Sequence, residues 1–278
     1  MTNPISYLNG SLLPLRDAHV GLEDLGLLRG FGIYEGLAAF NGEPFHFADH
    51  WKRFQGSAQA LQLTIPVSEQ AALEATRAVL ATNSPKERAT IRIILTGGRA
   101  EGGIEHVAGR ETFFITAEPA VPLPETFYTN GASMQTYEHQ RLLPAYKTTN
   151  YITAVLLQQK KRETGAVEIL YIANGTALEC TGSNVCIMKK GTLITPKDNI
   201  LHGITRKITL ELAREKYFVE ERAVSLEELF DADEVCITSS FKDIVPIVSV
   251  DGRTIGAGAP GPVTRDLMRR FSECTKKY

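Results

Sequence analysis

The stretch LPAYKTTNY, residues 143–151, places a lysine between two tyrosines in a segment that reads as buried. Burial disfavours the charged form of a lysine, and the neutral amine can attack a carbonyl carbon. Lys147 is therefore a candidate Schiff-base nucleophile. A surface lysine whose methylene stem covers apolar neighbours while its ammonium group stays in water would fit the same stretch.

A carboxylate follows in ALECTGSNVCIM, residues 177–188. Glu179 lies where an apolar strand enters a turn of small residues, and Ser183 and Asn184 follow it. A carboxylate fixed in this way could keep a pyridine nitrogen protonated through a charge-assisted hydrogen bond. A turn that is merely capped by polar side chains would give the same pattern.

Two further stretches carry donors suited to a phosphate group. In HGITRKIT a glycine precedes a helix whose first residues are Ile204 and Thr205, and helix N-termini bind anions through free amides and the helix dipole. In TSSFKD two serines, Ser239 and Ser240, end a strand. A plain helix start and a polar strand end explain each stretch when it is taken alone.

One ligand fits all four features together, and that ligand is pyridoxal phosphate. Its aldehyde needs an amine, its ring nitrogen an acid, and its phosphate several donors. Neither a P-loop nor a strand-linked G-x-G-x-x-G occurs in the sequence, so no nucleotide-binding motif competes with this interpretation.

The length, composition and net charge of the chain argue against several other classes of protein. The chain has 278 residues, 43% hydrophobic and 22% charged, with a net charge of -2, so no basic nucleic-acid surface is expected. Four scattered cysteines and the isolated pair His46 and His50 predict neither disulfides nor a metal site. The N-terminus lacks the pattern of a signal peptide, and no apolar run approaches about 18 residues. We therefore expect a cytoplasmic protein without a membrane span.

Hydrophobic periodicity and Asn-Gly or Asp-Gly turns predict the elements that must position these residues. In the first half, strands are predicted at 5–8, 12–15, 33–40, 44–47, 91–95 and 112–118, and helices at 48–63 and 68–82. In the second half, strands are predicted near 131–137 and at 167–173, 184–189, 192–195, 235–239 and 244–250, and helices at 150–164, 204–217 and 262–273.

The proline-rich stretch PAVPLPE at 119–125 is predicted to be an extended linker, because proline fixes φ and cannot donate to a strand ladder. The mixture of hairpins and helices on either side predicts two α+β domains. We therefore expect a small N-terminal domain over 1–118, a linker over 119–129, and a larger cofactor-binding domain over 130–278.

Several segments together resemble the class IV aminotransferases, which are the fold-type IV pyridoxal phosphate enzymes. The matching segments are GIYEGLAAFNGEPFHFADHWKRF at 32–54, K-T-T-N-Y, E-C-T-G-S-N-V, L-I-T and L-H-G-I-T-R. The resemblance covers nearly the whole chain and implies small and large α/β domains with the cofactor between them. The chain departs from the pattern at Cys186, where an aromatic residue is usual, and in a shorter stretch over 195–201.

The resemblance implies a role for each matched residue. Lys147 would hold the cofactor as an internal aldimine and move the proton between Cα and C4′. Glu179 would pair with the pyridine nitrogen, and Tyr151 would bond the ring hydroxyl. Arg53 would bind the phosphate. The remaining expected cofactor-binding residues are Ser183, Asn184, Ile204, Thr205, Ser239 and Ser240.

Two arginines set the expectation for the substrate. Arg29 stands in LLRGFGIYEG, where branched-chain enzymes usually carry a tyrosine. Arg92 stands in TIRIILTGG, at a position that also holds an arginine in many branched-chain enzymes. A small group of transaminases that act on D-amino acids resembles this arrangement. Two guanidinium groups in one pocket would clamp a carboxylate, and moving that clamp changes which enantiomer presents its Cα hydrogen. We therefore expect transamination of D-amino acids such as D-alanine or D-glutamate to a 2-oxo acid. In this family the first arginine tends to come from the neighbouring subunit, which implies a homodimer.

Other readings stay open at this point. An L-branched-chain aminotransferase would use an apolar pocket lined by Ile33, Tyr34 and Leu37, and an aminodeoxychorismate lyase would keep the fold but change the reaction. A non-catalytic binding module with a structural Lys147 would be purified without cofactor. Arg29 could instead form a structural salt bridge with Glu23 or Asp24.

Overall fold

The structure, a computed structural model, describes residues 3–84 and 88–278. The chain divides into two compact units. The first contains the chain up to Val121, together with Tyr146–Tyr151 and Tyr278, and the second contains Pro122–Ala145 and Ile152–Lys277. The chain passes from one to the other inside the linker expected at 119–129. The domain limits at 118 and 130 stay predictions, and they did not anticipate that 146–151 belongs with the first unit.

The first unit is built on one antiparallel sheet. Its strands are β1 (Ile5–Leu8), β2 (Ser11–Pro14), β3 (Gly32–Phe40), β4 (Glu43–Pro44), β5 (Ala89–Thr96) and β6 (Thr112–Pro119). They are hydrogen-bonded in the order β2-β1-β6-β5-β3-β4. Its helices are α1 (Leu25–Arg29), α2 (Phe47–Ala60) and α3 (Glu69–Asn83).

Strand β5 shows why the sequence folds in this way. Its side chains alternate between the two faces of the sheet, so Ile91, Ile93 and Leu95 are at most 1% exposed and join the core with α2 and α3. Each such burial stabilises the fold by roughly 1.5–3 kcal/mol. The intervening residues Arg92 and Ile94 are half-buried on the other face.

The predicted strands and helices of this unit are confirmed to within a few residues, except one. The strand expected at 44–47 is wrong, because only Glu43–Pro44 pairs with β3. His46 has a φ of 51°, which lies in the left-handed region and turns the chain out of the sheet, and α2 begins at the next residue.

The second unit is built on a mixed sheet. Its strands are β7 (Ala132–Glu138), β8 (Glu168–Ala173), β9 (Thr176–Cys180), β10 (Asn184–Lys189), β11 (Thr192–Thr195), β12 (Phe218–Glu221), β13 (Val224–Ser225), β14 (Glu234–Ser239), β15 (Asp243–Val250) and β16 (Arg253–Thr254). Their order is β12-β11-β10-β14-β15-β7-β8-β9-β13, with β16 on β15. A further pairing of β9 with β10, at Glu179 and Asn184, closes the central strands into a ring.

Helices surround this sheet. They are α4 (Thr126–Thr129), α5 (Ile152–Leu156), α6 (Gln158–Thr164), α7 (Ile204–Arg214), α8 (Leu226–Phe230) and α9 (Pro262–Thr275). The helix predicted at 150–164 is in fact α5 and α6, and it starts later because residues 146–151 belong to the first unit, where Thr148 bridges to β3. The other predicted elements are present, whereas the short elements α4, α8, β12, β13 and β16 were not foreseen.

Within residues 3–84 and 88–278, no helix is both long and apolar enough to cross a bilayer. The same residues contain no cluster of three or more His, Cys, Asp or Glu side chains placed to hold a metal ion. The cytoplasmic location stays a prediction.

Candidate active site

The lysine segment forms a short antiparallel bridge to β3, in which Thr148 lies opposite Ile33. The Tyr34 amide donates to the Lys147 carbonyl at 3.0 Å, and the Thr149 amide donates to the Gly32 carbonyl at 2.9 Å. A Cβ atom at Gly32 would lie 2.9 Å from the Leu95 carbonyl oxygen, so this close approach needs a glycine. The backbone of Lys147 is therefore fixed by the sheet of the first unit.

The Lys147 side chain is half-buried. The sequence suggested that the whole segment is buried, but within 143–151 only Thr148 is. Its Nζ atom lies 4.4 Å from the centroid of the Tyr34 ring, close enough for a cation–π contact. The Tyr151 ring meets Tyr34 edge to face, with 5.5 Å between the centroids. The amine is thus oriented by an aromatic face and still accessible to a ligand.

Behind β3 lies a buried cluster of three charged or titratable side chains. Arg53 Nε donates to Glu35 Oε1 at 2.8 Å, and Arg53 Nη2 donates to Glu35 Oε2 at 2.6 Å. His50 Nδ1 lies 2.7 Å from Glu35 Oε2. The side chains of Glu35, His50 and Arg53 are 0%, 2% and 13% exposed. A guanidinium that meets a carboxylate at two points in this way is held rigidly.

The charges of this cluster follow from its geometry. Burial by itself raises the pKa of Glu35, but the Arg53 charge and the hydrogen bonds from Arg53 and His50 outweigh it and lower that pKa to about 2. Burial would lower the pKa of Arg53, but Glu35 outweighs it and raises the pKa above the usual value. Burial lowers the pKa of His50. At neutral pH the cluster therefore holds an anion, a cation and a neutral imidazole whose Nδ1–H donates to Glu35.

This cluster bears on the phosphate role predicted for Arg53. One edge of its guanidinium is occupied by Glu35, so the orientation of Arg53 is fixed before any ligand arrives. The phosphate contact itself stays a prediction. Glu35 and His50 were not among the predicted site residues, although the acid in the apolar strand GIYEGLAAF and the H-x-x-R spacing on α2 marked them.

In the second unit, Glu179 is buried and its two carboxylate oxygens have separate partners. Arg141 Nε donates to Oε1 at 2.8 Å, and the Leu201 amide donates to Oε2 at 3.1 Å. Arg141 Nη2 also donates to the Pro144 carbonyl at 2.6 Å. Asn184 Nδ2 donates to the Leu201 carbonyl at 2.7 Å, which ties the same loop from its other side. The carboxylate predicted to meet the ring nitrogen is thus held in one orientation.

Arg141 is a residue that the sequence analysis missed. It lies six positions before Lys147, in a stretch whose charge did not stand out from an ordinary polar loop. Its side chain is only 10% exposed, and a guanidinium at that depth needs an anionic partner, which Glu179 provides.

The predicted anion site at the start of α7 has the expected local form. Gly203 precedes the helix and carries no capping side chain, so the helix start is not closed by its own N-cap residue. A Cβ atom at Gly203 would clash with Asn184 Oδ1, which explains the glycine. Ile204 and the 3%-exposed Thr205 form the first turn.

The predicted serines lie at the end of β14. Ser239 Oγ accepts from the Lys242 amide at 3.1 Å, and Ser240 follows in the turn to β15. The neighbouring Thr238 hydroxyl is buried and, among the described residues, has no hydrogen-bond partner.

Ser183, also predicted to bind the cofactor, lies in the turn between β9 and β10. Its Oγ atom donates to Glu168 at 2.9 Å, so its hydroxyl proton is already in a hydrogen bond.

The two substrate arginines differ in their surroundings. Arg92 Nη1 donates to Glu118 at 2.5 Å, and its side chain is 43% exposed. Arg29 is exposed at the end of α1, and its Nη1 donates to the adjacent Leu28 carbonyl. Neither acid suggested as a structural partner for Arg29 pairs with it. Glu23 pairs with Arg99, and Asp24 caps α1.

Tyr34 and Ile33, both predicted to bind substrate, point to opposite faces of β3. Ile33 is fully buried in the core beneath α2 and α3, and Leu37 lies in the same core. Because side chains alternate along a strand, Ile33 does not share the face on which Tyr34 meets Lys147. Tyr34 is on the lysine side, and Ile33 supports the sheet instead.

The chain is similar to a known protein family, to named relatives and to solved structures. The amino-transferase class IV family matches residues 32–250. A Methanocaldococcus jannaschii protein provisionally named a branched-chain-amino-acid aminotransferase is 33% identical over 98% of this chain and 96% of its own length. The D-alanine aminotransferase of Bacillus licheniformis is 34% identical over 93% of each chain. The branched-chain amino acid aminotransferase of Thermobaculum terrenum, solved in its PLP-form, superposes with a TM-score of 0.87 at 27% identity, covering 100% of this chain and 95% of that one.

The family match and the solved neighbours place the chain among the pyridoxal phosphate enzymes of the fold-type IV class. The family match spans most of the sequence, so the chain belongs to amino-transferase class IV. It is accordingly an aminotransferase that uses pyridoxal phosphate, with amino acids and 2-oxo acids as substrates.

The residues present fit this cofactor within each unit. Lys147 offers an accessible amine, Glu179 an oriented carboxylate, and Gly203 a helix start without its own cap. The unpartnered Thr238 hydroxyl lies next to the predicted phosphate donors. The position of the cofactor between the two domains stays a prediction.

Proposed function

We propose that the enzyme transfers the amino group of D-amino acids, such as D-alanine or D-glutamate, to a 2-oxo acid. This proposal is carried by Arg29, which stands where branched-chain enzymes usually have a tyrosine, together with the position of Arg92. Arg92 stands opposite Gly36 in the pairing of β3 with β5, and Tyr34 stands opposite Ile94. Arg92 and Tyr34 are therefore diagonal neighbours on one sheet face, roughly 7–8 Å apart along such a diagonal.

This arrangement supplies a carboxylate site near the reactive amine. The guanidinium of Arg92 lies on the face that Tyr34 shares with Lys147, and it already binds the carboxylate of Glu118. A substrate carboxylate could replace Glu118 or share Arg92 with it, since a guanidinium has five donors. The side chain of Arg29, with no acidic partner among the described residues, is suited to a second contact.

The roles of the chain's own residues follow. Lys147 binds the cofactor and then moves a proton at the substrate Cα. The ring of Tyr34 orients the Lys147 amine, which lies over one face of that ring. Glu179, held by Arg141 and the Leu201 amide, keeps the ring nitrogen protonated. The bound cofactor supplies an electron sink for the bonds at Cα. Arg53, Ser183, Asn184, Ile204, Thr205, Ser239, Ser240 and Tyr151 complete the proposed cofactor-binding set.

An L-branched-chain aminotransferase is the second candidate, favoured by the names of the Methanocaldococcus and Thermobaculum relatives. Its apolar pocket was expected from Ile33, Tyr34 and Leu37. The first and last of these are buried in the core of the first unit, so they do not line a pocket on the Tyr34 face. The burial of Ile33 and Leu37 weakens the case for a branched-chain aminotransferase, whereas the fold and the cofactor are the same for both candidates.

We further propose that the protein is a homodimer. Leu22, Leu27 and Leu28, which lie before Arg29, are 82%, 62% and 44% exposed. A cluster of exposed leucines on a small segment is typical of a surface that another chain covers. Analytical ultracentrifugation tests this, and a species of one chain mass at micromolar concentration would contradict it.

The substrate proposal is tested by an absorbance spectrum of the purified protein, followed by D-alanine, D-glutamate and L-leucine in separate cuvettes. We expect a yellow protein that loses its visible band with the D-amino acids. Bleaching with L-leucine alone would move the function to branched-chain transamination. A conversion of chorismate-derived substrate with no transamination would point to a lyase instead.

A further inference from the structure

A buried carboxylate lies beneath two of the turns assigned to the cofactor. Glu168, at the start of β8, is 1% exposed. Its Oε1 accepts from Ser183 Oγ at 2.9 Å and from Lys242 Nζ at 2.6 Å, and Thr181 Oγ1 donates to its Oε2. Both hydroxyl groups belong to the turn between β9 and β10, which follows Glu179. The lysine belongs to a different turn.

That second turn, residues 240–242, joins β14 to β15 and carries Ser240. Asp243, the first residue of β15, has a φ of 56°, a left-handed conformation that a residue other than glycine adopts at some cost. Asp243 borders this turn, and contacts around the turn fix its conformation. Lys242 supplies such contacts at three points.

The three contacts of Lys242 leave its turn little freedom. Its amide donates to Ser239 Oγ at 3.1 Å, and its carbonyl accepts from Tyr128 OH at 3.1 Å. Its ammonium reaches Glu168 and lies 3.2 Å from Ser183 Oγ. Because the side chain is only 18% exposed, the ion pair with Glu168 is partly shielded from water.

The charge state of Glu168 agrees with this geometry. Burial alone raises the pKa of Glu168, but the Lys242 charge and the hydrogen bonds from Lys242 and Thr181 outweigh it and lower the pKa. The carboxylate is therefore ionised at neutral pH and accepts from all three donors at once.

We propose that Lys242 is a positioning residue, which holds the Ser239–Ser240 turn in the conformation that receives the cofactor phosphate by tying it, through Glu168, to the turn after Glu179. The inference rests on the proposed phosphate role of Ser239 and Ser240. It assigns Lys242 no contact with the cofactor. Its consequence is that losing Lys242 weakens the recognition of the phosphate group rather than of the ring or the aldehyde.

The experiment compares two ligands that differ only in the phosphate. Apoprotein is titrated with pyridoxal phosphate and with pyridoxal, and the visible absorbance of each bound form gives its Kd. The variants are Lys242→Met, which removes the charge, and Lys242→Arg, which keeps it. Lys189→Met is the control, because Lys189 also forms an ion pair in the same unit, at 2.8 Å, but with the exposed Asp231 rather than with a buried carboxylate.

We expect Lys242→Met to raise the Kd for pyridoxal phosphate by about 10-fold, because a serine that is no longer held in place loses its hydrogen bond to the phosphate. The Kd for pyridoxal should change far less, and Lys242→Arg and Lys189→Met should keep the wild-type preference for the phosphorylated form. A merely structural role would lower the Tm and leave the ratio of the two Kd values unchanged. If Lys242→Met does not fold, Lys242→Gln replaces it in the same comparison.

Each outcome separates the two proposals. An unchanged ratio in Lys242→Met overturns the positioning role and leaves the phosphate site intact. A wild-type protein that binds pyridoxal as tightly as pyridoxal phosphate overturns the phosphate role of Ser239 and Ser240, and the positioning role with it.

Discussion

Lys147 and Tyr34 are joined both through the backbone and through their side chains. The Tyr34 amide donates to the Lys147 carbonyl at 3.0 Å, and the Lys147 Nζ atom lies 4.4 Å from the centroid of the Tyr34 ring. The position of the Lys147 amine is therefore set by β3, a long and well-buried strand, rather than by the exposed loop before it. A site on a rigid strand is held more accurately than one on a loop.

Replacing Lys147 by alanine should abolish transamination and the visible absorbance of the bound cofactor, because no other amine among the described residues is placed over Tyr34. Stopped-flow assays and an absorbance scan measure both. Lys160→Ala is a suitable control, since the Lys160 Nζ atom lies 5.8 Å from the centroid of another tyrosine ring, Tyr137. Turnover retained by Lys147→Ala would refute the assignment of the nucleophile.

Replacing Arg29 by alanine should lower kcat/KM for D-alanine and D-glutamate more than for L-leucine, because the proposed clamp selects the enantiomer. The difference should be about 10-fold or more for one lost charge-assisted contact to a carboxylate. Arg99→Ala removes a nearby exposed arginine that pairs with Glu23 and serves as the control. An equal loss on both enantiomers would end the stereochemical argument.

Glu35 should make stability depend on pH in the acid range. Its folded pKa of about 2 lies below the ordinary 4.5, so the unfolded chain takes up the proton first as the pH falls. The stabilisation, about 3 kcal/mol, is complete above pH 4.5 and is lost between 4.5 and about 2. Urea unfolding from about pH 7 to about pH 2 should show a steeper loss of unfolding free energy in the wild type than in Glu35→Gln.

The Glu35→Gln variant should also lose about 3–5 kcal/mol of unfolding free energy at neutral pH, since it removes the carboxylate that pairs with Arg53.

His50 should make stability depend on pH in a different range, below pH 6.5. Its folded pKa lies below 6.5, so the unfolded state binds the proton first, and stability falls as the pH drops from 6.5. His50→Gln should flatten the pH dependence of the unfolding free energy just below pH 6.5. His19→Gln, at an exposed histidine, controls for the loss of an imidazole. A wild-type slope in His50→Gln would show that His50 does not stay neutral on folding.

Arg141 should be needed to keep Glu179 in place. Arg141→Met removes the guanidinium that pairs with the buried carboxylate of Glu179, so the variant should lose about 3–5 kcal/mol of stability and bind the cofactor more weakly. Thermal unfolding with and without pyridoxal phosphate measures both effects, because a bound ligand raises the Tm according to its Kd. Arg214→Met, which removes a more exposed partner of Glu221, is the control. The same ligand-induced rise in Tm as in the wild type would contradict the prediction.

Much of the fold was predictable because alternation and turn signals are local. The alternating exposure of β5 follows directly from TIRIIL, and the Asn-Gly pairs mark real turns. The edge strand β12 was missed because FVEE has little apolar alternation, and its parallel pairing with β11 is not a local property.

The site was predictable only in part, because residue type does not reveal which face a side chain takes or which partner it meets. Ile33 was grouped with Tyr34 by proximity in sequence, yet strand geometry separates them. Arg141 and Lys242 become informative only when the fold brings Glu179 and Glu168 to them.

The pairing of Gly32 with Thr149 joins residues 117 positions apart. During synthesis, the edge of β3 at residues 32–34 therefore stays unpaired until the chain has been made through the second unit's first strand and beyond Tyr151. A nascent chain that stops at the linker would expose this edge, and unpaired strand edges promote aggregation. The proposed nucleophile, Lys147, is therefore synthesised on the same short segment that pairs with this edge of β3.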